Sequence, residues 1–293
     1  MALIAALEAG GTKFICAVGT AHDQILEKAT FETGEPEKTL AQCLDFFRRC
    51  ESRFGKIEKL GIAAFGPLNL DPRSTNFGSL LKTPKKGWAG TNFIEYFQQE
   101  LKASVVLDTD VNAAVLAEVK WGSAKGCASA AYVTIGTGIG VGVYVNGALL
   151  HGAIHPEIGH IAAPRAGSDE KFESVCPFHG DCFEGLASGP AMAKRWGQVA
   201  EHLGPEHPGW EVEAFYLGQL CRTITLAVSP HRIILGGGVL AHQPLLEKVQ
   251  THFETALNDY LPISADSGGL DSYIVRESFG GVSGLIGAFA LAR

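Results

Sequence analysis

Residues Tyr132-Val-Thr-Ile135-Gly136-Thr137-Gly138-Ile-Gly140-Val-Gly-Val-Tyr-Val145 set an apolar run, a glycine-rich break and a second, alternating run in one line, closed by Asn146-Gly147. That order spells strand, turn, strand, and Asn-Gly is the dipeptide a tight hairpin turn favours. The same order occurs once before. An apolar run at 4–7 leads into Glu8-Ala-Gly10-Gly11-Thr12-Lys13, and Phe14-Ile-Cys-Ala-Val18 resumes it. Two copies of a glycine-turned hairpin, each followed by alternating strand and helix patterns, point to an α/β protein with a faint internal repeat.

Outward from the first copy, Leu40, Cys43, Leu44, Phe47 and Cys50 fall on one face of a helix over 36–54 that opens near Pro36. A buried strand over 60–65 ends at Gly66-Pro67. The polar, Gly/Pro-rich interval 69–88 reads as a long surface loop ending in Thr83-Pro84-Lys85-Lys86-Gly87-Trp88. A helix over 92–101 and a strand over 104–107 follow. The chain then breaks through Asp108-Thr109-Asp110-Val111-Asn112 before a helix over 113–121. Outward from the second copy, a helix opens at Ser188-Gly-Pro190, a break falls at 204–209, and a long helix covers 212–228. A strand over 232–235 meets Gly236-Gly237-Gly238, another helix starts near Pro244, a last strand lies at 274–275, and a helix over 284–291 closes the chain.

Composition narrows the function classes. The 293 residues are 46% hydrophobic and 19% charged, enough for two ordinary cores. A net charge of -7 without any Lys/Arg block argues against nucleic acid, because counterion release needs clustered cations. No apolar run approaches the ~20 residues of a membrane span, and the start lacks the charged region of a signal peptide. A cytoplasmic location is expected. Seven cysteines, an odd number scattered along the chain, suit a reducing compartment better than a disulfide framework.

Three features carry chemistry. The turns at 10–13, 136–140 and 236–238 can crowd backbone amides around an anion. None is a P-loop, and the second is no dinucleotide fingerprint, since a strand follows it. One such turn alone would be a plain hairpin; three, two of them in matching places of a repeat, point to phosphate. Asp110 stands where a strand gives way to a helix. There it serves either as a helix N-cap or as an acceptor for a hydroxyl proton, and spacing does not choose between it and Asp108. Finally, Cys176, His179 and Cys182 supply three soft ligands, and one of His151, His155 and His160 a fourth, for a closed, structural zinc site. Glu157 and Glu184 flank that cluster and would be pinned beside it as a binding wall.

The set Glu8-Ala-Gly-Gly-Thr-Lys13, Thr109-Asp110-Val-Asn112-Ala-Ala114, Ile135-Gly-Thr-Gly-Ile-Gly140, Glu157-Ile-Gly-His160, the Cys/His cluster and Leu235-Gly-Gly-Gly-Val239 resembles the ROK family of sugar kinases and repressors across the whole chain. Cys176-Pro-Phe-His-Gly-Asp-Cys182 and the 83–88 loop resemble its bacterial fructokinase branch. The resemblance implies an actin/hexokinase-like (ribonuclease H-like) duplicated α/β fold with two domains around a central cleft, and a homodimer. Residues 1–118, with a helix at about 281–293 packing back, would form one domain; 119–280, with a zinc segment at 155–184, the other. It implies ATP with Mg2+ and a hexose, fructose first, as partners.

By position the resemblance makes Asp110 the catalytic base that takes the 6-hydroxyl proton. Gly10, Gly11, Thr12, Lys13, Thr137, Gly138, Pro190, Gly236, Gly237, Gly238, Val239 and Leu240 become nucleotide contacts. Gly66, Asn112, Glu157, His160 and Glu184 become sugar contacts, and His160 joins Cys176, His179 and Cys182 as the fourth zinc ligand. Glu8, Thr109 and His179 depart from the family pattern, which often has Asp, Asn and a third Cys there. Kinases for glucose, mannose or an N-acetyl hexosamine are the alternative enzymes. A sugar-sensing ROK protein is the non-enzyme alternative; a repressor would need a DNA-binding segment ahead of the first strand.

Overall fold

The computed structural model describes residues 3–261 and 269–293. Two compact units divide the chain: Met1–Gly122 with Leu149–Pro156 and Val282–Arg293, and Ser123–Ala148 with Glu157–Gly281.

In the first unit, strands β1 (Leu3–Ala9), β2 (Lys13–Ala21), β3 (Gln24–Glu32), β4 (Ile57–Ala64) and β5 (Ser104–Thr109) form a sheet in the order β3-β2-β1-β4-β5. The first three strands pair antiparallel, with Leu7 opposite Cys16, and β4 and β5 add in parallel. β1 is central because its apolar residues face cover on both sides, as parallel neighbours require. β3 is the strand that sequence patterning misses. It carries Glu27, Lys28 and Glu32 on a largely exposed edge, where charge discourages pairing with another chain. Helix α1 (Pro36–Phe54) buries Leu40, Cys43, Leu44, Phe47 and Cys50, the stripe its spacing predicts. Helix α2 (Phe93–Leu101) starts at Asn92, whose side chain accepts the Glu95 N–H at 3.0 Å.

The interval before α2 is not the plain surface loop expected from its composition. Trp88 is fully buried against Phe14, Phe65 and Phe93, and its indole N–H donates to the Gly34 carbonyl at 3.0 Å. One aromatic side chain thus ties a polar segment to the core.

In the second unit, β6 (Ser129–Ile135), β7 (Ile139–Val145), β8 (Ala148–Leu149), β9 (Ile233–Gly236) and β10 (Ile274–Arg276) form a sheet in the order β10-β9-β6-β7-β8. Taken from β8, that order repeats the first sheet strand for strand, with an antiparallel hairpin followed by parallel additions. The hairpin repeat in the sequence is therefore a duplicated sheet.

Helix α3 (Asp110–Trp121) belongs to the first unit; α4 (Phe183–Ala187), α5 (Gly189–Trp196), α6 (Gly209–Val228), α7 (Leu245–Leu257) and the short α8 (Leu270–Tyr273) belong to the second. α6 and α7 cover its core of Val133, Ile135, Leu217, Ile224 and Phe253. The last helix, α9 (Ser283–Leu291), returns to the first unit. It is apolar all round because it is buried all round. A Cβ on Gly287 would land on the Ala113 carbonyl, and one on Gly61 on the Ala288 carbonyl, so α3, α9 and β4 meet backbone to backbone. No helix among the described residues is long and apolar enough to cross a membrane.

Candidate active site and metal centre

Strand β5 does not break after Leu107. It pairs through Asp108 with Ala63 and through Thr109 with Ala64, and α3 begins at Asp110 itself. The N-cap is Thr109, whose hydroxyl accepts the Asn112 N–H at 3.1 Å, so the capping role weighed for Asp110 belongs to its neighbour. Asp110, half-buried as the first residue of α3, accepts the Val111 N–H at 2.8 Å. Burial raises its pKa to about 6, against the opposing pull of that backbone bond. A carboxylate titrating there can take a proton near neutral pH and release it afterwards.

Asp108 does different work. One of its oxygens accepts the Thr109 N–H and the Asn112 side-chain N–H, both at 2.8 Å; the other faces His151 Nε2 at 3.0 Å. The pairing pulls the His151 pKa up, which favours the cation. Held by these three bonds, Asp108 braces the start of α3. His155 takes a second tie: its Nε2 accepts the Leu68 N–H at 3.0 Å beside Gly66. Burial lowers the His155 pKa, consistent with a neutral ring accepting a bond. His151 and His155 thus lie in the first unit, occupied with Asp108 and the 66–68 turn. The glycine turn of the same unit is closed by the Gly10 N–H bonding the Lys13 carbonyl at 3.0 Å, which leaves Gly11, Thr12 and Lys13 exposed.

In the second unit His160, Cys176, His179 and Cys182 place their ligand atoms within 4.8 Å of one another. His160 Nδ1 lies 3.8 and 3.6 Å from the sulfurs of Cys176 and Cys182, and His179 Nδ1 lies 3.7 Å from Cys176. A zinc tetrahedron with Zn–S of about 2.3 Å and Zn–N of about 2.0 Å has S···N edges of roughly 3.5 Å, so the donor set fits the ion. Backbone N–H groups of His179 and Gly185 point at the two sulfurs. Burial, with Cys176 and Glu184 adding to it, pushes the Cys182 thiol up to about 11; a bound dication reverses that penalty. Arg165 clamps Asp181 with two bonds of 2.7 Å, and Arg195 clamps the buried Asp169, which also accepts from Tyr216. The first clamp closes the ligand-bearing segment on itself, and the second fastens it to α5 and α6.

His160 turns its other nitrogen, Nε2, toward Glu184 Oε1 at 3.8 Å. The second Glu184 oxygen accepts the Ile139 N–H at 3.0 Å and occupies the place a Cβ on Gly138 would fill. One carboxylate thus joins the metal cluster to the glycine turn of the second hairpin. Glu157, exposed, accepts the His160 N–H through its carbonyl, and Gly159 lies flat against β7. On the far side of the turn the Gly189 N–H bonds the Gly136 carbonyl at 2.8 Å, with Ser188 capping α5 and Pro190 in its first turn.

Gly237, at φ 92°, packs on Ile135, and Val239 and Leu240 turn into the core. Gly238 is left at the mouth of a 260 Å3 cavity walled by Glu201, Trp210 and His242, whose two rings stack 4.0 Å apart. That aromatic wall was not legible in the sequence, because Trp210 and His242 come from separate elements with no shared motif. Of the expected residues, the first unit holds Gly10 to Lys13, Gly66, Asp110 and Asn112; the second holds Thr137, Gly138, Glu157, Glu184, Pro190, the 236–240 run and all four metal ligands.

The sequence profile of the ROK family matches residues 4–293. A putative fructokinase of Bacillus subtilis is 41% identical, covering 99% of this chain and 95% of that protein. A fructokinase of Zymomonas mobilis is 39% identical, covering 98% and 95%. Among solved structures, a ROK family glucokinase from Streptomyces griseus in complex with glucose and AMPPNP superposes with a TM-score of 0.76 at 24% identity, covering 99% of each chain. The shared fold is the actin/hexokinase-like one, in accord with the duplicated sheets.

Proposed function

The chain belongs to the ROK family, and from that premise we propose that it transfers the γ-phosphoryl group of ATP to the 6-hydroxyl of a hexose, D-fructose first. The observation that carries this reading is Asp110: a half-buried carboxylate with a pKa of about 6 at a strand-to-helix junction, two residues from an Asp108 held by Asn112 and His151. In the reaction Asp110 accepts the hydroxyl proton as the sugar oxygen bonds to the γ-phosphorus. The bond from phosphorus to the bridging oxygen breaks, and ADP leaves with MgATP's magnesium as counter-charge. The turns at 10–13 and 136–140 offer amides to the phosphates, and the cavity beside Gly238 takes the nucleoside. The residues assigned to the sugar hydroxyls are Glu157, His160 and Glu184 in the second unit and Asn112 and the Gly66 backbone in the first. His160, Cys176, His179 and Cys182 would hold zinc, whose charge would keep the two thiolates ionised, and the bound His160 would in turn position Glu184.

Fructose comes first because the fructokinase relatives are the more similar ones, and their names concern those proteins alone. The test is a panel of hexoses with MgATP. Phosphorylation of D-fructose with the highest kcat/KM is expected. Preference for glucose, mannose or an N-acetyl hexosamine removes the fructose assignment, and transfer to none removes the kinase. The homodimer belongs to this proposal as well, and sedimentation of the zinc-loaded protein tests it.

A further inference from the structure

We propose that Lys85 is a further catalytic residue of this transfer, its ammonium serving as counter-charge to the γ-phosphoryl group at the 10–13 turn; the proposal rests on the kinase reading above. The observation is a bond of 2.6 Å from Lys85 Nζ to the carbonyl of Gly11, an exposed residue of that turn. A carbonyl oxygen is the negative end of its peptide dipole and repels a phosphate. An ammonium seated on it reverses the local sign. A lysine ammonium has three N–H donors, and among the described residues no carboxylate pairs with this one.

The platform beneath it is rigid. Lys85 donates its backbone N–H to Thr83 Oγ1 at 3.4 Å, and its carbonyl accepts the N–H of the fully buried Trp88 at 3.2 Å. Holding a long, strongly hydrated side chain in one place costs rotamer freedom, which a single exposed carbonyl does not offset. A phosphoryl group would.

Three variants test it: Lys85→Met, Lys85→Arg, and Lys86→Met as the neighbouring control. With MgATP and the hexose the wild-type enzyme prefers, Lys85→Met is expected to lose roughly 10²-fold in kcat. Its Kd for MgADP, its hexose KM and its melting temperature should stay unchanged, Lys85→Arg should recover part of the rate, and Lys86→Met all of it. A wild-type kcat in Lys85→Met overturns the proposal. So does a loss confined to MgADP affinity or melting temperature, which would make Lys85 only a clip for its loop. A wild-type protein that phosphorylates no hexose overturns the kinase reading and this proposal together, an outcome distinct from the other two.

Discussion

Burial raises the Asp110 pKa from its ordinary 3.8 to about 6, so the folded chain holds that proton more tightly than the unfolded chain does. The protonated carboxyl therefore stabilises the fold fully below pH 3.8, and that contribution is lost as pH rises through 6. At pH 8 the ionised group costs the fold about 3 kcal/mol, an upper figure because the side chain is only half-buried. Activity runs the other way, since only the carboxylate accepts a proton. Asp110→Asn should then lower kcat by roughly 10²- to 10⁴-fold while sugar binding survives, and should raise the melting temperature at pH 8. The wild-type rate should climb with pH to half its plateau near 6. A pH-independent rate between 5 and 7, or an Asn variant of ordinary turnover, would strip Asp110 of the role. The position of Asp110 was legible because an apolar run gives way to a helical pattern there. The brace was not: nothing in sequence ties His151 to Asp108, and by residue type alone His151 and His155 read as well as His160 for a metal ligand, a choice that only the family resemblance made.

Elements were legible in proportion to their burial. α1 showed its stripe because one face meets the core; β3 showed nothing because a charged edge strand has no buried face to pattern. The 69–88 interval misled for a related reason: its polar composition hid one tryptophan that decides where it lies. α9 makes the sharpest demand on packing. Gly287 has the backbone of α3 where a side chain would be, and neither side can yield without moving a helix. Gly287→Ala should cost about 3 kcal/mol, at the upper end of overpacking effects, read as a fall in the midpoint of denaturant unfolding. A neutral substitution there would mean that α9 does not dock on α3 as described.

At the scale of the whole chain, a duplicated sheet gives each unit its own core, while the metal ligands all lie in one of them. The ligand segment is anchored at its ends by Ala166, Phe183 and Leu186 in the core and by the Arg195 clamp on Asp169, whereas Ile161 and Phe178 are exposed and the stretch that carries the two buried thiols leans on the ion. Metal analysis of freshly purified protein is expected to find zinc bound, and its absence would end the structural-zinc assignment. Chelation should then raise amide exchange across 158–188 while α1 and β4, packed in the other core, keep their protection. Because Glu184 is tied to His160, the hexose KM should rise more than kcat falls. Uniform deprotection of both units on chelation would contradict the separation of cores, and an unchanged KM would free Glu184 from its dependence on the metal.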